Sequence, residues 1–419
     1  FGIYNEGNTN TTTVSGRIQT TGNMGTLGST SYGAYGIFNE GNKNKTTLSG
    51  SIETTGRSAL GIYNKGDTNT TTVSGSIATG NVSSNSGKNS YGIYNEGSDN
   101  TTTLSGDITT INWSGYGIYN KGNRNTTIMS GNFTASGTYD SSNYGILNSG
   151  DENITTMSGI ISTVGSSSYG IRNSGSRNKT TVSGSITTGG SSARGITNSG
   201  NNNETTVSGS IKTTGSSAYG IYNSGNNNTT TLSGSIETTG RYAHGIESDG
   251  DTNETTISGT VKATGTRSAA LLTTSGDGNK FTLDEGAIII GDILAKDHTS
   301  SVYDATNSKL IFNLGASTSY AYSVSGKGEG TTAGKWDFSD LDGRSQVVTT
   351  AGTGCDTTIS GANNDTCNLV TAVSTGNAEA QDELQFFMNS SMIGSLELGS
   401  SQAKAPTEAT PSTQTSKSN

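Results

Sequence analysis

Cysteine, proline and histidine are nearly missing from this 419-residue chain, which has two of each. A zinc site would need two ligands beyond the cysteine pair. A serine protease needs a nucleophile, a histidine and an acid brought together, and neither His244 nor His298 lies near a GDSG-type segment. Hydrophobic residues make up only 28% of the chain, and no run approaches the roughly 20 apolar residues that span a bilayer. Positive charge is also short: the net charge of −9 argues against a nucleic-acid partner. Low hydrophobicity with abundant Gly and Ser is a signature of disorder. Strict spacing of the few apolar residues excludes that reading here.

What the chain does have is a repeat. The stretch GIYNSGNNNTTTLSGSIE, residues 220–237, is the template. Its leading glycine recurs at Gly2, Gly36, Gly61, Gly92, Gly117, Gly145, Gly170, Gly195, Gly220 and Gly245, and the last six are 25 residues apart. Isoleucine follows each glycine, and asparagine stands two residues further on in every copy except the last, which has Ser248. A second apolar column runs from Val14 to Ile257, and a third, four residues on, from Ile18 to Val261. Threonine precedes the second column by two and glycine follows it by two. Period two predicts a strand with Thr, apolar, Gly and apolar on one face.

Three aliphatic anchors, each contributing about 1.5–3 kcal/mol when fully buried, cannot hold a unit together alone. Stacking identical units at about 4.8 Å per turn buries them and runs a continuous backbone ladder between turns. Helical spacing of three and four is absent, and Gly, Asn and Thr disfavour helix. The expected fold is therefore all-β: a single-stranded parallel β-helix of about ten 25-residue turns over residues 1–265. The GIxN asparagine would point inward, where each amide must be paired.

The distance from motif glycine to the SG pair is constant, so every length change falls in the remaining arc, at residues 22–34, 79–90 and 137–143. Loops projecting from one edge of a solenoid often bind partners. Met24, Leu27, Tyr32 and Tyr139 in the insertions, and Trp113 in the same arc of a standard unit, are the candidate contact residues, with simple loop packing as the alternative. The turn between the first two strands reads Gly, then Asn, Asp or Ser, any residue, then Asn. Glycine and asparagine accept the positive φ of a sharp corner. The same asparagine opens a glycosylation sequon, and its aspartates are calcium candidates, although without the repeat of calcium-loading solenoids. Outward Thr13, Ser15 and their equivalents form a Thr/Ser lattice that an ice-binding face would need, interrupted by Lys45, Lys179, Glu204, Glu254 and Ile154.

Beyond Thr266 the pattern fades and apolar density rises. A denser β block over residues 266–375 is expected as a cap on the exposed end of the ladder. Cys355 and Cys367 bracket eleven residues and read as a small-loop disulfide, hence an oxidising compartment. A short helix is expected over residues 376–399, with Asn377 as N-cap. Residues 400–419 read as a disordered polar linker.

The GIxN and TTxSGxI repeats, followed by YSVSGKGEG, KWDFSDLDGR, a helix and a polar linker, resemble the passenger domain of bacterial autotransporters, the type V secretion family. That resemblance implies a right-handed parallel β-helix at the cell surface or outer membrane, or released from it, acting as an adhesin or self-association module. It implies a C-terminal block that assists folding. Partners would be host or neighbouring-cell surface molecules, protein or glycan, or further copies of the chain. No cofactor is expected, and membrane contact would come only through a barrel outside residues 1–419. The chain opens inside a motif at Phe1 and is expected to be a piece of something longer.

The enzyme alternative, a β-helix acting on polysaccharides, would place paired acids such as Asp249 and Asp251 where the repeat breaks. Both lie in a turn whose equivalents are Ser224 and Asn226. His244 occupies a variable position before a motif glycine and is expected to be a solvated surface residue. A non-enzymatic binding protein is the reading the sequence favours.

Overall fold

The computed structural model describes residues 1–295 except 23–24, 28–29, 33, 57, 81–89, 112–113, 137–141 and 275, together with 308–313, 319–322, 324–325, 346–351 and 369–374. Each repeat contributes three strands, and like strands stack in parallel. The first sheet has 13 strands, running from Ile3–Glu6 to Val324–Ser325. The second has 12, from Thr11–Val14 to Lys309–Asn313, and the third has 11, from Arg17–Thr21 to Ile288–Ile290. The chain is a parallel β-solenoid, and no described residue is helical.

Register follows the repeat, including across the insertions: Ile3 pairs with Ile37 and Ile62 with Ile93. The three aliphatic columns fill the interior as a single apolar cluster, with Ile37, Leu48 and Ile77 essentially inaccessible. The first turn is looser: Ile3 and Ile18 are half-buried and pack against this cluster. The ladder does not stop at the fading of the 25-residue pattern. Past Gly265 the inward threonine column becomes Phe281 and then Leu310, both fully buried, and the parallel pairing continues through them.

One local expectation is corrected and a second is extended. The run of Thr, apolar, Gly and apolar is not one strand, because the backbone bends at Ser15–Gly16 and its equivalents and passes into another sheet. Glycine is required there by close approach: a Cβ on Gly50 would lie 1.9 Å from the carbonyl oxygen of Gly16. At the other corner the turn glycine does take positive φ in four copies, Gly7, Gly41, Gly66 and Gly97, at 97° to 146°, and the freely varying third residue of the turn is left-handed as well. It is Thr9, Lys43, Thr68, Asp99, Arg124, Glu152, Arg177, Asn202, Asn227 or Thr252, with φ between 53° and 64°. Close approach requires the turn glycine too: a Cβ on Gly66 would lie 2.4 Å from Gly41 O.

The asparagine that opens each sequon closes this turn. Asn69 Oδ1 accepts from the Asn44 backbone N–H at 2.8 Å, and Asn69 Nδ2 donates to Gly66 O at 3.0 Å. From Asn44 onward these side chains are about 99% buried, so the turn and not the sequon accounts for them.

Length variation falls in the arc after the third strand, as the repeat requires. The first insertion contains a two-stranded antiparallel hairpin, Gly25–Leu27 with Thr30–Tyr32. In the C-terminal block, Ser319–Tyr322 and Gln346–Ala351 flank Leu369–Ser374 in an antiparallel sheet. The cysteine pair, the expected helix and the polar linker lie outside the described residues.

Candidate functional site

The outer face of the first sheet carries a feature that its columns build turn by turn. Ile and Asn of the GIxN motif face inward, so the residue between them faces out. The residue before the glycine also faces out, because the glycine kinks the strand. A Cβ on Gly36 would fall 2.4 Å from Ile52 Cγ2 and 2.6 Å from Gly61 O, and the register skips this position on both strands. Residues three apart therefore share a face, which plain alternation forbids.

Both outward columns are largely aromatic, and stacking at the strand spacing brings the rings together. Phe38, Tyr63, Tyr94 and Tyr119 form one ladder, with centroids 4.7, 4.9 and 5.0 Å apart and planes within 6° of parallel. Tyr91, Tyr116, Tyr144 and Tyr169 form the other, at 4.7, 4.9 and 5.1 Å. Cross-contacts such as Tyr91–Tyr94 at 5.2 Å join the two. Because ring faces cover one another, the surface exposes ring edges and phenol hydroxyls. Most of these tyrosines are half-buried, and Phe38 and Tyr144 are buried.

Towards the C-terminal turns, arginine replaces tyrosine in both columns. Arg172 lies 5.5 Å from the Tyr169 centroid, and Arg194 lies 5.0 Å from Tyr219 and 3.9 Å from Tyr222. Guanidinium planes thus continue the stack through cation–π contact. Beside the rings runs a ladder of alternating charge. Lys65 reaches Glu40 at 2.8 Å and Lys121 reaches Glu96 at 2.6 Å. Phenols complete it: Tyr4 donates to Glu40 and Tyr63 to Glu96.

The electrostatics follow from this packing. Burial, with added repulsion from neighbouring carboxylates or phenols, pushes Tyr63, Tyr94, Tyr116, Tyr219 and Tyr222 well above the ordinary phenol value. Hydrogen bonds from Lys65 and Tyr4 hold Glu40 below the usual carboxylate range. Burial would raise Glu96, but hydrogen bonds from Lys121 and Tyr63 outweigh it and leave its carboxyl lowered.

At the end of the stripe the repeat breaks. His244 stands in the aromatic column and is only 4% exposed, which overturns its expected place as a solvated surface residue. Its ring meets Tyr219 at 5.2 Å, and Nδ1 accepts from the Ala269 backbone N–H at 2.9 Å. The stacked columns cover it as they cover the tyrosines. Asp249 and Asp251 do not form a pair. Asp251 belongs to the turn, accepting from the Asp277 backbone at 2.9 Å. Asp249 accepts from Tyr222 at 2.6 Å and from Thr274 at 2.9 Å, and Thr274 also donates to Glu247 at 3.3 Å. Glu247, in the outward column, is the acid that reading the turn alone misses.

The other candidates are placed as follows. Leu27 and Tyr32 lie in the hairpin strands, while Met24, Trp113, Tyr139, Cys355, Cys367 and His298 fall outside the described residues. The Thr13 lattice faces outward on the second sheet, but Ile128 and Ile154 stand 44% and 45% exposed within that face, and Lys179 pairs with Glu204 at 2.7 Å. Among the described residues no group of three or more His, Cys, Asp or Glu is arranged to hold a metal, and no helix is long and apolar enough to cross a membrane. No family model, curated protein or solved structure matches the chain.

Proposed function

We propose that this chain is an adhesin or self-association module of the autotransporter-passenger kind, working by binding and not by catalysis. It would be wound right-handed, carry a β cap and short helix at its C-terminal end, and stand on a cell surface or outer membrane or be released from it. Its partners would be protein or glycan on host or neighbouring cells, or another copy of the chain. The observation that carries this reading is the continuous lateral stripe of stacked rings, with phenol hydroxyls and alternating charges along its edge. Such a face offers many weak hydrogen bonds, each contributing about 0.5–1.5 kcal/mol net, repeated at a fixed spacing. Repetition converts them into avidity between two rods lying side by side.

Cells or beads displaying the chain should aggregate or adhere, and excess soluble chain should compete. Aggregation and adhesion both absent, or unchanged by the competitor, would sink the proposal. The secretion class is tested separately by sequencing the gene on both sides. A secretion signal upstream, and downstream segments of about ten residues with alternating hydrophobicity, are the expected findings.

A further inference from the structure

Threonine dominates the outer face of the second sheet, and isoleucine replaces it in two adjacent coils. Ile128 stands in its column between Thr103 and Thr156, and Ile154 stands in the neighbouring column beside Thr126. Both point outward, 44% and 45% exposed, on a diagonal of the ladder. Ile160, just past the bend in the coil of Ile154, is 49% exposed. Surface isoleucines scattered singly need no explanation, but three in adjoining coils make a patch.

The edge of the same face carries charge in four successive coils. Two residues before each strand, the corner holds Asp99, Arg124, Glu152 and Arg177, alternating in sign. Neighbours pair within the chain, Arg124 with Asp99 at 2.8 Å and Arg177 with Glu152 at 2.9 Å. The midpoint of the series falls between the coils of Arg124 and Glu152, which are also the coils of Ile128 and Ile154. The apolar patch and the charge alternation therefore share a centre. A minus–plus–minus–plus series, reversed about its midpoint, is its own complement.

We infer that this face docks on the same face of a second copy, the two rods antiparallel about a two-fold axis that runs along the strands between those two coils. The inference rests on the reading of the chain as a self-association module and gives that role a face, an orientation and a register. The contact is isologous. Ile128 and Ile154 of both copies gather at the centre, and at the rim Arg124 meets the partner's Glu152 while Asp99 meets the partner's Arg177. Moving the axis by half a coil would set Arg124 against the partner's Arg124, or Glu152 against the partner's Glu152. Parallel rods would carry the charged corners to opposite edges. At the inferred register Lys179 and Glu204, already paired at 2.7 Å, face the partner's Thr101 and Thr70.

An apolar centre with a polar rim is the usual anatomy of an interface, and rim charges set orientation more than affinity. Strands of four residues over the ten repeats offer up to roughly 600 Å² per copy, at about 3.3 Å per residue and 4.8 Å per coil. That lies at the lower bound of stable interfaces, so dimer and monomer exchange.

The repeat supplies substitutions that keep the fold, because Ile128→Thr and Ile154→Thr bring in the residue already present as Thr103 and Thr126. Sedimentation of the intact chain over a concentration series should show a monomer–dimer equilibrium, and the double variant should raise the dissociation constant at least about tenfold. Charge tests the register. Arg124→Glu and Glu152→Arg each set like charges against one another across the axis, and both residue types already stand at this left-handed corner. Each variant alone should associate more weakly than the intact chain at low salt, where the rim is least screened. An equimolar mixture of the two should recover association, since only the mixed pair restores opposite charges at every rim position. A monomer at all concentrations, an unchanged constant in the isoleucine variant, or a mixture no more associated than its components would overturn the inference. Displaying cells that aggregate while the soluble chain stays monomeric would leave the proposed function standing and remove this docking face.

Discussion

The side-chain amide of Asn64 donates to Oδ1 of Asn95, one turn along, at 2.8 Å and to Oγ1 of Thr71 at 2.9 Å, with all three side chains buried. The same pair of bonds recurs at Asn39, Asn120, Asn148, Asn173 and Asn198. A polar column thereby runs through a dry interior with each amide held twice, which is the condition under which buried amides are tolerated.

Replacing one rung should therefore cost more than replacing an aliphatic group of similar size at the surface. Asn173→Leu removes the acceptor at Oδ1 that Asn148 uses, and the donor that serves Thr180 and Asn198. The expected loss is at least about 2 kcal/mol, since each buried group left unmet costs about 1–3 kcal/mol. Ser174→Ala, one residue on and half-exposed, should stay within about 0.5 kcal/mol. Urea unfolding measures both. Equal midpoints for the two variants would remove the amide ladder from the list of stabilising features.

Two adjacent glycines separate close approach from mere flexibility. A Cβ on Gly190 would lie 1.7 Å from Gly165 O, whereas one on Gly189 meets nothing nearer than Val164 Cγ1 at 3.8 Å. Gly190→Ala should break the stacking of that corner and lower the melting temperature sharply. Gly189→Ala should be neutral or stabilise by about 0.4–1 kcal/mol, through a less disordered unfolded chain. Calorimetry on the two variants checks this, and the reverse order would refute the packing described for the corner.

Left-handed backbone at a β-branched residue stores energy that a substitution can release. Thr68 has φ 58°, and this conformation costs an L-residue roughly 1–2 kcal/mol. Asparagine tolerates it better and already stands at the same place in Asn202 and Asn227. Thr68→Asn should raise the urea midpoint by an amount equivalent to about 1 kcal/mol. A fall in the midpoint would mean that the Thr68 side chain contributes something its bond to the Asp67 carbonyl does not account for.

The stripe makes the fold sensitive to alkali. Tyr63, Tyr94, Tyr116, Tyr219 and Tyr222 have raised phenol pKa values, burial being the main cause. Above the unfolded value of about 10 the folded chain holds more protons than the unfolded chain, so unfolding free energy falls as pH rises. The contribution is complete below that pH. Tyrosinate absorbance should lag behind a free-tyrosine titration above it and then rise together with loss of the strand circular dichroism signal. Phenols that ionise freely while the strands persist would contradict the burial described for these rings.

The sequence was most informative where one residue meets the same demand in every turn. Ile37, Leu48 and Ile77 are buried because a narrow coil leaves no other place for an aliphatic side chain, and a repeating column shows that without coordinates. The inward GIxN asparagine was legible for the same reason. Gly50 was placed correctly in the repeat but misread in role, since a bend and a strand share its local pattern and only the carbonyl of Gly16 distinguishes them. Likewise, plain alternation forbids Tyr35 and Phe38 from sharing a face, and only the kink at Gly36 unites them.

Sequence alone thus determined the period, the three apolar columns, the in-register stacking and the arc that takes insertions, because each is a property of one unit repeated. Tertiary structure decided the aromatic stripe, the burial of His244 and the meeting of Glu247 with Asp249 across Thr274. These depend on residues 25 or more apart lying side by side, and rings become half-buried only when the next coil supplies the face that covers them.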